Sequence, residues 1–171
     1  YRARGVPVVM GGLHVSSLPE EALEHGDAVV IGGGEGAWSR VVGDAARGAL
    51  QRRYQGALTH IFEPGTCAMP RFDLLAGRPY NRVTIQTSRG CPRHCEFCAA
   101  SPLITRGFQQ KPVPQVLAEI QSARQHVPHP FFEFADDNTF LDKAWGREFL
   151  AAIRPLGIKW FTETDASIAD D

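Results

Sequence analysis

The sequence predicts an α/β protein: part of an open, doubly wound parallel sheet, then a connector, then the first βα units of a partial β/α barrel. Three observations predict it. The apolar runs VPVVM and DAVVI are short and uninterrupted, as strands covered on both faces must be. Each is followed by a stretch of helical periodicity that a glycine closes. From Asn81 the same alternation resumes for three more strands.

Taken in order, YRARG reads as a helix end stopped by Gly5, and Val6 to Met10 as the first strand, ended by Gly11-Gly12. Ser17-x-x-Glu20 has the spacing of a capping box, with Pro19 in the first turn of a helix that Gly26 stops. Asp27 to Gly32 is the second strand. The next helix places Trp38, Val41, Val42 and Ala45 on one apolar face and ends near Gly48. Residues from Ala49 to Pro79 carry Gly56, Pro64, Gly65, Pro70, Gly77 and Pro79 without sustained periodicity, and read as a connector with a short strand at Arg53–Gln55. RVTIQTS is then a strand, and Val113 to Val127 a helix presenting Val113, Val116, Leu117, Ile120 and Val127. FFEFA is a strand, Lys143 to Leu156 a helix burying Trp145, Phe149, Leu150 and Ile153, and Lys159 to Thr164 the last strand after Gly157. The expected organisation is 1–50, a connector over 51–80, and 81–171. Three strands cannot close a barrel, and the chain opens on Tyr1 as though mid-fold, so an excerpt of a longer polypeptide is expected.

The 171 residues, 43% of them hydrophobic, suffice for an ordinary core. A net charge of −1 and a pI near 6.7 give no reason to expect nucleic acid or an anionic membrane as partner. Arg52, Arg53, Arg71, Arg78, Arg82, Arg89 and Arg93 are dispersed rather than patched. No apolar run has the length of a membrane span, and no signal peptide opens the chain.

Cys91, Cys95 and Cys98 stand in SRGCPRHCEFC at the spacing C-x-x-x-C-x-x-C. Three thiolates on one short loop can hold three irons of a [4Fe–4S] cluster and leave the fourth iron for a small molecule. Zinc would want a fourth ligand, and only Cys95–Cys98 has zinc-like pairing; His94 and the remote Cys67 lie off that spacing. Three clustered cysteines cannot pair evenly as disulfides, and thiols with a cluster imply a reducing cytoplasm. Cys67 reads as a bystander.

The segment TIQTSRGCPRHCEFC resembles the opening of the radical S-adenosylmethionine (SAM) enzymes. That resemblance implies that Cys91, Cys95 and Cys98 bind the cluster and that SAM chelates the open iron. It implies reductive cleavage to methionine and a 5′-deoxyadenosyl radical, which abstracts hydrogen from a substrate. It also puts Phe97 beside the adenine; a plain core aromatic is the other reading of Phe97. The family binds the SAM amino group with a polar motif where Asp136 and Asp137 stand, at the end of FFEFA. Capping of the next helix is the other reading of Asp136, Asp137 and Asn138, with Asp142 as rival cap. Glu163 and Thr164 end the last strand; His126 and His129 flank Pro128 and read as structural.

Upstream, VVMGGLHVSSLPEEALEHGDAVVIGGGEG resembles the carboxyl half of the Rossmann-like cobalamin-binding domain found ahead of many radical SAM modules with TIM-like partial barrels. Gly11 and Gly12 occupy the place where that family lets the corrinoid nucleotide tail lie against backbone. The Asp-x-His-x-x-Gly loop that supplies a lower cobalt ligand is absent, and its place would lie upstream of Tyr1, so cobalamin stays an option. His14 reads better as a surface residue than as a ligand. GGGEGA at Gly32–Ala37 fits G-x-G-x-x-A, but Arg52 and Arg53 stand where an acidic ribose partner belongs. The implied reactions are methyl transfer to an unreactive carbon or anaerobic oxidative cyclisation. A small-molecule substrate and a reductant such as flavodoxin or ferredoxin are the implied partners. Rival classes are a corrinoid-binding or other ligand-binding module with a structural or electron-transfer cluster, and a zinc-stabilised regulatory fragment. No side chain is singled out as catalytic.

Overall fold

The computed structural model describes residues 1–57, 62, 67–98 and 108–170. The chain divides into two compact units, Tyr1–Cys67 with Pro92–Gly107, and Ala68–Cys91 with Phe108–Asp171. Each is built on a parallel sheet of its own.

In the first unit the strands β1 (Val9–Met10), β2 (Ala28–Ile31) and β3 (Arg53–Gln55) pair in that order, all parallel. Alternation along β2 sends Ala28 and Val30 to one face and Val29 to the other. On the first face they meet Ala37 and Val41 of helix α3 (Trp38–Ala46) and its entry, with Tyr54. On the second, Val29 packs on Val15, Ala22 and Leu23 of helices α1 (Leu13–Ser17) and α2 (Pro19–His25). Both faces are covered, which is why β2 is apolar throughout.

Two local expectations fail here. The run LHVSS forms its own short helix, so Ser17 ends α1 and its hydroxyl donates to the Leu13 carbonyl at 2.8 Å rather than capping α2. Leu18 becomes the N-cap, and Glu20 instead pairs with Arg53 at the surface. In α3 the buried positions are Ala37 and Val41, while Trp38 and Val42 are 57% and 51% exposed. β3 is held by its buried centre: the Tyr54 hydroxyl donates to Asp44 Oδ2 at 2.9 Å and accepts from the Gln51 amide at 2.9 Å. Burial is the main reason this phenol's pKa is raised. Beyond it the backbones cross closely: the Gly56 amide donates to the Ile31 carbonyl at 2.8 Å, and Gly33 and Ala57 exchange two backbone bonds. A Cβ on Gly56 would lie 1.9 Å from the Gly33 carbonyl oxygen, so only glycine fits.

In the second unit β4 (Val83–Ile85), β7 (Phe131–Phe134) and β8 (Lys159–Thr162) pair in that order, again all parallel. One face carries Val83, Ile85, Phe132 and Phe134 against helices α4 (Val113–His126) and α5 (Lys143–Ile153), through Val116, Ile120, Phe149 and Ile153. Phe72, from a single 3₁₀ turn at Phe72–Leu75, plugs the same core. On the other face Phe131 stacks on Phe161 at 5.7 Å, with the Arg82 guanidinium 5.1 Å above the Phe161 ring. Asp142 caps α5 by accepting from the Ala144 and Trp145 amides, and Gly157, at φ 59°, reverses the chain before β8. Leu150, expected inside, is 39% exposed. A two-stranded antiparallel ribbon, β5 (Ser88–Arg89) with β6 (Gln109–Gln110), completes the unit. Beside it Lys111 and Glu119 form a buried ion pair, with Nζ 2.8 and 3.0 Å from the two carboxylate oxygens.

Candidate functional site

Parallel strands point their carboxyl ends the same way, and in the second unit those ends gather the polar residues. Thr87 and Ser88 follow β4, Asp136 to Thr139 follow β7, and Thr162 to Asp165 close β8. Asp136 is buried among them. Its Oδ1 accepts from the Thr87 amide at 2.7 Å and the Ser88 amide at 2.8 Å, and its Oδ2 from the Thr87 hydroxyl at 2.5 Å and the Thr139 hydroxyl at 2.8 Å. A carboxylate has about four acceptor positions, and all are filled by the chain itself. The expectation that Asp136 meets the amino group of SAM therefore runs against its bonding. Asn138 is occupied in the same way: its amide donates to Asp165 at 2.9 Å and its carbonyl accepts from Thr164 at 3.0 Å. Asp137, between them, is exposed.

The cysteine loop leaves from this end. β5 begins at Ser88, Gly90 takes a left-handed φ of 80°, and Cys91 follows, half-buried. Cys95 and Cys98 are exposed, and the Cys98 amide donates to the Cys95 carbonyl at 3.0 Å, closing a four-residue turn. No cysteine is in a disulfide. Among the described residues, no three His, Cys, Asp or Glu side chains converge as metal ligands. Thiolates repel one another until a metal draws them together, so a preformed cage is not expected. The donor set, three soft sulfurs within one loop, suits an iron–sulfur cluster. Phe97 is 92% exposed, which removes the reading of it as a core aromatic.

In the first unit a small cavity of about 140 Å³ lies at the carboxyl ends of β1 and β2, lined by Gly11, Gly12, Gly32, Gly34, Val30 and Trp38 among others. Gly12 has a φ of 99°, and a Cβ there or at Gly34 would project into open space. Four glycines thus share the lining with the apolar side chains of Val9, Met10, Val30 and Trp38. The glycine-rich turn offers less than its sequence suggested. The Gly32 amide donates to the Ser16 hydroxyl at 3.0 Å and the Gly33 amide to the Ala57 carbonyl at 2.8 Å, so neither is left for a phosphate. His14 sits at the surface, its Nε2 3.0 Å from Glu21.

Sequence reasoning missed Thr87, Ser88, Thr139 and Thr162, whose only advance signal was hydroxyl residues at strand exits. It also missed Trp38 as a cavity wall, having placed it in the core. Among the described residues no helix is long and apolar enough to cross a membrane.

No family model matches the chain. It is similar to the bacteriochlorophyllide d C-8(2)-methyltransferase of Chlorobaculum tepidum, with 27% identity over 84% of this chain and 34% of the relative. It is similar also to the bacteriochlorophyllide d C-12(1)-methyltransferase of the same organism, with 26% identity over 93% of this chain and 36% of the relative. The chain spans about a third of the length of these relatives. Among solved structures, the radical S-adenosylmethionine methyltransferase TsrM from Kitasatospora setae, with cobalamin and a [4Fe–4S] cluster bound, matches 88% of this chain and 34% of its own, at a TM-score of 0.59 and 20% identity. The chain is an α/β protein with parallel sheets, similar in fold to part of that methyltransferase.

Proposed function

We propose that this chain is part of a radical SAM enzyme in which Cys91, Cys95 and Cys98 hold a [4Fe–4S] cluster. The observation that carries the reading is the three-thiol loop at the carboxyl end of β4, in a fold similar to part of such an enzyme. Once bound, the cluster supplies the electron that cleaves SAM to methionine and a 5′-deoxyadenosyl radical. The chain's own residues divide the remaining work. Three deprotonated thiols would hold three irons and offset part of their charge. Asp137, exposed beside the fully bonded Asp136, would be the carboxylate that meets the SAM ammonium. The backbone around exposed Phe97 would contact the adenine.

In the same proposal, residues 1–50 are the carboxyl part of a Rossmann-like cobalamin-binding domain, 51–80 a connector whose strand β3 joins the first sheet and whose Phe72 joins the second core, and 81–171 the first half of a TIM-like partial barrel. Gly11 and Gly12 would let a corrinoid tail approach the backbone, in a cavity that Trp38 also lines. The relatives' names favour methylation of a small-molecule substrate over oxidative cyclisation, and cobalamin, bound in the similar methyltransferase structure, would be the methyl carrier. Flavodoxin or ferredoxin would supply electrons in the cytoplasm.

The test is anaerobic reconstitution with iron and sulfide, followed by electron paramagnetic resonance of the dithionite-reduced protein with and without SAM. About four irons per chain and a signal that changes on adding SAM are expected. Zinc without iron, or a signal indifferent to SAM, refutes the proposal.

A further inference from the structure

We infer that Asp136 is a positioning residue: it fixes the stem of the cysteine loop by hydrogen bonding and acts through Thr87 and Ser88 rather than on a ligand. The inference rests on the cluster reading for its consequence, though not for its geometry. Both limbs of the loop hang from the exit of β7. On the upstream limb, Asp136 takes the Thr87 and Ser88 amides and the Thr87 hydroxyl. On the downstream limb, the Gln110 side-chain amide donates to the Thr139 carbonyl at 3.3 Å, and the Lys111 amide donates to the Thr87 carbonyl at 2.8 Å. The β5–β6 pairing ties one limb to the other. Thr87 is thereby held through its amide, its carbonyl and its hydroxyl, four residues before Cys91. A cluster ligand so close to a clamp inherits the clamp's position.

The bonding pattern separates positioning from charge. In Asp136→Asn the remaining carbonyl can keep the two amides, while the new NH₂ faces the Thr87 and Thr139 hydroxyls. Those hydroxyls can turn from donors into acceptors. The Thr139 hydroxyl then donates to Thr162, and the Thr162 hydroxyl to the Phe134 carbonyl, which lies 2.9 Å away. The Thr139 branch survives with its direction reversed, and the Thr87 hydroxyl keeps the side chain as its partner by accepting from it. Asparagine should therefore rescue a positioning role and fail in one that needs a negative charge.

The experiment uses the full chain in two states. In the metal-free protein, amide hydrogen exchange reads the stem; after reconstitution, iron per chain and the SAM-induced change in the paramagnetic signal read the site. In Asp136→Ala the Thr87 and Ser88 amides should exchange about tenfold faster or more, and iron loading should fall severalfold. Asp136→Asn should stay within about twofold of the parent on both readouts, since its bonds are replaced rather than lost. Thr139→Val, which removes one of the four donors and keeps the side chain's shape, should fall between, and decides the matter if the alanine variant does not fold. Exchange unchanged in Asp136→Ala and Thr139→Val overturns the inference, as does an asparagine variant that binds no SAM while its exchange is normal. If the parent loads no iron, the cluster reading falls while exchange still decides the clamp.

Discussion

Lys111 and Glu119 are 3% and 1% exposed, and the ammonium touches both carboxylate oxygens. Lys111→Met removes the cation and strands a carboxylate in the α4 interface. Breaking a buried pair from one side costs about 3–5 kcal/mol, because the surviving charge keeps its desolvation penalty without its partner. For a unit of this size each kcal/mol moves the melting midpoint by about 4 °C, so a drop of about 12 °C or more is expected. The double variant Lys111→Met/Glu119→Leu removes both charges at similar volume and should recover most of the loss, since an apolar replacement of a whole buried pair is often neutral. The assay is a double-mutant cycle by chemical denaturation. A single variant within about 1 kcal/mol of the parent, or a double variant no better than the worse single, would refute the reasoning.

Gly56→Ala should destabilise the first unit by at least the roughly 1–3 kcal/mol of ordinary overpacking, because its Cβ would overlap backbone that cannot rotate away. Gly34→Ala, whose Cβ meets open space, should stay within about 0.5 kcal/mol; urea midpoints compare the two. Arg71 holds Asp73 in a two-pronged pair, with Nε to Oδ1 and Nη2 to Oδ2 both 2.7 Å, and this bonding keeps the carboxyl below its usual range. A depressed carboxyl stabilises the fold above its unfolded pKa and loses that contribution as pH falls through the folded value. Titration of Asp73 by NMR should show a midpoint below that of an ordinary aspartate, rising in Arg71→Ala and with added salt; an unmoved midpoint counts against the pair.

Much of the second unit is legible because its signals are local. FFEFA alternates cleanly, Phe132 and Phe134 in, Phe131 and Glu133 out, and α5 is bracketed by Asp142 and Gly157. What escaped is short or distant. LHVSS has too few residues to show a period, and a two-residue ribbon such as Ser88–Arg89 has none. Trp38 and Val42 were assigned inward because apolar residues at helical spacing admit two faces, and the smaller Ala37 took the core. Asp136 is acidic at a strand's end in either role; three of its four bonds come from residues 48 and 49 positions back, where no pattern joins them to it.

The crossing of Gly56 over Gly33 also bears on how the first sheet selects its alignment. A strand slipped by one position inverts every side chain. In β3 that would expel Tyr54 from beneath Asp44 and bring Gln55 or Ala57, each with a Cβ, to the point where only bare backbone passes. Two independent penalties thus fall on the same error. A three-residue edge strand, too short to define its alignment through hydrogen bonds alone, is left with one setting.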